Sequence, residues 1–208
     1  FLATSSRKNK LEAQNITKIF SRGKSDEVVA LKDITFQVEE GEFLTILGPS
    51  GCGKSTLSRC IAGFEKITNG HIYVRRKQVQ DPGPDRAIVF QSFDQLLPWK
   101  TVLKNITMPL TVNGIKKGRA KEIGMAQLEL MGLTQSSDLF PHQLSGGMKQ
   151  RVAIARALAL NPDILLMDEP FASLEAQNRE RLQKELSSIW RKTKKTVLFV
   201  THNIDEAL

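Results

Sequence analysis

Three short segments of this 208-residue chain carry residue types whose spacing suits polyphosphate chemistry. The first, Gly48-Pro49-Ser50-Gly51-Cys52-Gly53-Lys54-Ser55-Thr56, lies between an apolar strand-like stretch, Glu42 to Leu47, and a helix-like one, Lys54 to Gly63. It fits the G-x-x-x-x-G-K-[ST] phosphate-loop pattern in the context that pattern needs. Its glycines let backbone N–H groups converge on phosphate oxygens without Cβ clashes. The new helix aims its unpaired N–H groups and positive dipole end at the same anion. Lys54 adds a point charge for the β- and γ-phosphates, and the Ser55 hydroxyl is placed to ligate Mg²⁺.

The second segment, Ile164-Leu165-Leu166-Met167-Asp168-Glu169-Pro170, sets two carboxylates after an apolar strand. Ligand sites of parallel α/β sheets form at that strand edge. Asp168 there can hold Mg²⁺, and Glu169, pointing the other way, can take a proton from an attacking water. A lone Asp-Glu pair is weak evidence, since acids after strands often cap a helix; beside a phosphate loop it is strong.

The third, Leu144-Ser145-Gly146-Gly147-Met148-Lys149-Gln150-Arg151, precedes the amphipathic helical stretch Val152 to Leu160. Ser145 is a good N-cap, and Gly146 and Gly147 expose N–H groups at a helix start. This is a second anion site, about 90 residues from the first. One nucleotide does not need both, so a dimer is expected in which each chain's second site covers the other chain's γ-phosphate.

The elements that must position these segments are legible in outline. Leu11 to Phe20 and Val28 to Val38 alternate as strands around the polar segment Ser21 to Glu27. Ala87 to Phe90, Ile164 to Met167 and Thr196 to Val200 are short apolar strands, and Ala176 to Lys192 is a helix between the last two. Strand, helix and strand in alternation imply right-handed crossovers and a parallel sheet, hence an α/β fold. Residues 92–159 turn helical, with breaks at Pro98, Pro109, Asn113-Gly114 and Pro141, and read as an inserted subdomain.

Composition fits one soluble domain: 40% hydrophobic, 25% charged, and no uninterrupted apolar run long enough to span a bilayer. Cys52 and Cys60 match neither a disulfide framework nor a zinc pattern, so a reduced cytosolic setting is expected. No signal peptide is read at the N-terminus, where residues 1–10 form a basic lead-in or cloning remnant. The net charge of +8 permits an anionic partner, but its basic residues are dispersed over different elements.

With Leu144 to Arg151 in place, the chain resembles the ABC ATPases over nearly its whole length, and that family's motifs follow in order. The resemblance implies ATP as ligand with Mg²⁺, and the ABC ATPase fold: a P-loop core, an N-terminal antiparallel β-subdomain and a helical subdomain, spanning 11–208. Phe20 matches the aromatic that stacks on adenine, and Gly48 to Thr56 the Walker A loop. Gln91 matches the Q-loop glutamine near Mg²⁺ and the transporter contact. Asp168 and Glu169 match the Walker B carboxylate and catalytic glutamate, and His202 the switch histidine that contacts the γ-phosphate. Two departures stand out. Phe171-Ala172-Ser173-Leu174-Glu175 replaces the usual Ser-Ala-Leu-Asp, and the chain stops at Leu208 where relatives continue, so a C-terminal truncation is expected.

Phe90 to Val102, with Leu96-Leu97-Pro98-Trp99, is rich in large apolar residues and suits a groove for a helix of a membrane partner. That string resembles importers of nitrate, sulfonates, taurine and bicarbonate. The expected function is therefore an ATPase on the cytoplasmic face of the membrane, bound to separate permease subunits near Gln91 to Trp99 and served indirectly by a solute-binding protein. A soluble ABC protein acting on nucleic acid is the competing reading. Such relatives carry a long coiled-coil insertion, zinc modules or two nucleotide domains; this sequence has none of these, so no nucleic-acid partner is expected. A small-acceptor kinase would leave Leu144 to Arg151 without a task.

Overall fold

The computed structural model describes residues 8–21, 27–92, 95–172 and 174–206. Residues 1–7 of the basic lead-in, most of the polar segment Ser21 to Glu27, Phe93, Asp94, Ser173 and the last two residues lie outside them.

An antiparallel sheet comes first, with strand order β2-β1-β4-β5. β1 (Asn9–Ser21) pairs with β2 (Glu27–Glu39) and with β4 (Asn69–Val74), which turns back into β5 (Lys77–Gln78). β1 starts inside the expected lead-in: Lys10 is 6% exposed and pairs with Glu40 at 2.7 Å and Asp163 at 3.2 Å. Leu11 and Ala13 face inward, and a register shift between Ala13 and Ile16 brings Ile16 to the same side. The extra residue is absorbed by Asn15 at φ 53°, whose N–H donates to Thr35 Oγ1. That bulge is why the alternation reads only roughly.

A parallel sheet follows, with order β3-β8-β7-β6. Its strands are β3 (Phe43–Leu47), β6 (Arg86–Val89), β7 (Ile164–Asp168) and β8 (Thr196–Thr201). β7 and β8 are buried throughout, as unbroken apolar runs in a sheet covered on both faces must be. Alternate residues serve two cores. Ile164, Leu166 and Leu198 pack with α1 (Lys54–Ala62) and the antiparallel sheet. Leu165, Met167, Val197 and Phe199 pack with the helices of the other face. These are α2 (Val102–Val112), α3 (Lys117–Leu130), α4 (Gly146–Ala159) and α5 (Ala176–Thr193). The two cores clamp the parallel sheet, so the C-terminal ends of its strands form a rigid rim. No helix among the described residues is long and apolar enough to cross a membrane.

Candidate nucleotide site

On that rim the loop after β3 turns through Gly51 at φ 82° and Gly53 at φ 100° into α1. Gly53 is obligatory here, because a Cβ would lie 2.3 Å from the Ala30 carbonyl oxygen. Gly53 is also the N-cap of α1 and offers no side chain, so the first turn presents its N–H groups outward. They open on a cleft of about 590 Å³ lined by residues 50–56, Gln91, Glu169 and His202, with Val28, Val29 and Ala30 as its wall.

Lys54 is buried, and its ammonium donates to the Gly48 and Pro49 carbonyls at 2.7 and 2.8 Å. It also stands 3.6 Å from Glu169 Oε1 and 4.0 Å from Cys52 Sγ. The loop thus encircles the charge that a terminal phosphate would meet.

The two carboxylates after β7 diverge as their strand end requires. Asp168 ends the strand buried, and Glu169 turns away at φ 48° while its N–H still donates to the Val200 carbonyl at 2.9 Å. Asp168 Oδ1 accepts from the Ser55 hydroxyl at 2.9 Å. Burial holds its acid above the usual carboxylate range, the Ser55 hydrogen bond opposes that, and the neighbouring Glu169 charge adds to it. Ser55 and Asp168 supply adjacent hard oxygen donors, and Gln91 lines the same cleft. A buried carboxylate whose charge costs free energy is one that a divalent cation would compensate, and oxygen donors are what Mg²⁺ prefers, so the site fits that ion.

Glu169 Oε2 lies 2.9 Å from Nδ1 of His202, in the segment after β8; protonated there, the ring donates to the carboxylate. Next to it, Thr201 accepts from the Gly48 N–H with its carbonyl, and its hydroxyl donates to Glu206 Oε2 at 2.5 Å. The phosphate loop and the histidine segment are therefore tied through one residue.

The structure brings residues 50–56 of the Walker A loop, Gln91, Glu169 and His202 to one cleft and places Asp168 beside it, while Gly48 and Pro49 do not line the cleft and accept from the Lys54 ammonium. It does not bring Ser145, Gly146 and Gly147 there: none of them lines the cleft. Ser145 is exposed at the start of α4, where its hydroxyl accepts from the Met148 N–H at 3.3 Å. Phe20 is half-buried opposite Val28, with the Lys18 ammonium 4.5 Å from its ring centre, and is not among the lining residues either. The wall contains Val28 and Val29, 47% and 55% exposed, which the sequence did not single out.

Two more residues escaped notice. Asn105, fully buried in α2, accepts from the Leu97 N–H at 2.8 Å and donates to the Leu97, Lys100 and Thr101 carbonyls. Arg156 of α4 donates to the Gln95 carbonyl at 2.7 Å. Both fasten the segment that follows Gln91.

A phosphate loop opening a helix, with a paired acid and hydroxyl at its mouth and a glutamate–histidine contact across it, defines a P-loop nucleoside triphosphatase. The signature of the family described as ABC transporter matches residues 31–172, and the chain belongs to that family of ATP-hydrolysing cassettes. Over 201 residues it is 53% identical to an uncharacterised ABC transporter ATP-binding protein of Methanocaldococcus jannaschii, covering 97% of this chain and 74% of that one. Over 198 residues it is 47% identical to a taurine import ATP-binding protein of Rhizobium johnstonii, covering 95% and 75%. Among solved structures, a dimeric ATP-binding cassette in a post-hydrolysis state with ADP and Pi superposes with a TM-score of 0.82 at 35% identity, covering 95% of this chain and 90% of that one.

Proposed function

We propose that this chain is the ATP-hydrolysing subunit of an importer for a small solute, one bearing an anionic group such as nitrate, a sulfonate, taurine or bicarbonate. The observation that carries the mechanism is the meeting of Lys54, Glu169 and His202 in one cleft that lacks the second anion site of the same chain. The α1 N–H groups and Lys54 bind the β- and γ-phosphates. Ser55, Asp168 and Gln91 would hold Mg²⁺, which when bound would neutralise charge on those phosphates. Glu169 accepts the proton of the attacking water, and His202 fixes that carboxylate and faces the γ-phosphate. Phe20, at the end of β1 beside the Val28 wall, stacks on the adenine. Two copies close on two ATP molecules, each giving Ser145, Gly146 and Gly147 to its neighbour's nucleotide.

The permease docks on the segment after Gln91, where Trp99 is 70% exposed on a stretch held by Asn105 and Arg156. The assembly sits on the cytoplasmic face of the membrane, with a solute-binding protein on the other side. The likeness to the taurine import protein supports the solute class. Copurification of the chain with its membrane partner tests this: a polytopic permease is expected, and recovery with nucleic acid or a soluble enzyme instead would overturn the importer reading.

Cys52 gives a chemical handle on the same cleft. Its exposed thiol lies inside the phosphate loop, so a bulky maleimide there would occupy phosphate space. Alkylation is expected to abolish ATP turnover, and saturating ATP to slow the labelling measured by intact mass. Full modification with full activity would refute the placement of the phosphates.

A further inference from the structure

We infer that Gln95 is a positioning residue that sets Gln91 in the nucleotide cleft and joins it to α4, the helix capped by Ser145. Its side-chain amide brackets Gln91 from both sides in sequence. Nε2 donates to the carbonyls of Phe90 at 2.9 Å and Ser92 at 3.0 Å, and Oε1 accepts from the Phe90 N–H at 3.3 Å. The backbone on either flank of Gln91 is therefore held by one planar group. That group is itself held by α4: Arg156 Nη1 donates to the Gln95 carbonyl at 2.7 Å, and Nη2 lies 3.4 Å from Gln95 Oε1.

Arg156 is an unusual anchor. Burial pushes its guanidinium below the ordinary value, so its charge favours keeping those acceptors, and the two contacts tie Gln95 to α4. α4 is capped by Ser145, in the segment that would meet the second copy, and the neighbouring docking stretch is pinned to α2 by Asn105. The Gln95 amide thus lies where movement of the helical layer reaches the cleft. The inference rests on the reading that Gln91 serves the nucleotide and its metal.

The test is a substitution series on the intact chain, reading kcat, KM for Mg-ATP, equilibrium ATP affinity and thermal midpoint. Gln95→Met removes the bracket and Gln95→Glu keeps the acceptor while losing both donations to the Phe90 and Ser92 carbonyls. Both variants are expected to lower kcat about tenfold, the scale of a small misplacement near reacting groups, with ATP affinity within about twofold. Rescue by Gln95→Glu would overturn the inference, because it would mean the residue only neutralises Arg156. In a Gln91→Ala background the Gln95 changes are expected to add nothing, as two residues acting through one group do not multiply. Independent, multiplying effects would overturn it, as would unchanged kcat in both Gln95 variants. If Gln91→Ala alone leaves turnover intact, the reading of the site fails and this inference falls with it.

Discussion

Glu169→Gln is expected to bind ATP as the parent does, lose about 10²-fold or more of its turnover, and accumulate as ATP-bound dimers. The magnitude is the usual share of a positioned general base. The argument for intact binding lies in the geometry. Glu169 Oε1 is 3.6 Å from the Lys54 ammonium, and removing its charge leaves that cation fully available to phosphate. Burial chiefly, and the Glu169 charge beside it, raise the pKa of Asp168, so loss of that charge favours the ionised Asp168 that a metal needs. An amide is nearly isosteric and can still meet the His202 ring, whose Nδ1 stands 2.9 Å from the present carboxylate. What turnover loses is proton acceptance. Steady-state phosphate release, equilibrium ATP binding and size-exclusion in ATP separate these effects. Turnover within threefold of the parent would take Glu169 out of the chemistry.

The legible part of this protein was the part in which backbone geometry dictates residue type. Gly53 has no alternative beneath the Ala30 carbonyl, and the carboxylates after β7 follow an apolar run that only a buried strand explains. The segment Leu144 to Arg151 read correctly as a helix start because Ser145 is an N-cap whose acceptor role the structure shows. What stayed hidden depends on partners far along the chain. Strands β4 and β5 were missed because their hairpin turns through Arg75 and Arg76 at φ 48° and 64°, without the asparagine or glycine that marks a primed turn. Val28 and Val29 open an unbroken apolar run, Val28 to Leu31, that reads as core, so their exposure as a cleft wall was not legible. Gln95 and Arg156 are 61 residues apart, and neither belongs to a pattern that would pair them. Glu175, standing where the family has a shorter acid, is the N-cap of α5 but makes no side-chain capping bond there.

Ser145→Arg is expected to abolish hydrolysis while the monomer's ATP affinity stays within about twofold, since Ser145 does not line its own chain's cleft and a hydrogen-bond donor to the terminal phosphate is an electrostatic term worth 10² or more. The side chain is exposed, so arginine fits the monomer; loss of the bond from the Met148 N–H costs about 1 kcal/mol of helix capping, too little to unfold the domain. Ser145→Ala separates that capping cost from the steric and charge block. Mixing supplies the decisive measurement. Ser145→Arg keeps a sound phosphate loop, and Lys54→Ala keeps a sound second anion site at Ser145 to Gly147; each is expected to be inactive alone. In a mixed dimer one site takes its lysine from the first chain and its serine from the second, and is whole. An equal mixture is then expected to recover roughly a quarter of parental turnover, because half the dimers are mixed and each has one sound site of two. No recovery from a mixture shown to form mixed dimers would mean that the lysine and the serine do not share a nucleotide across the interface.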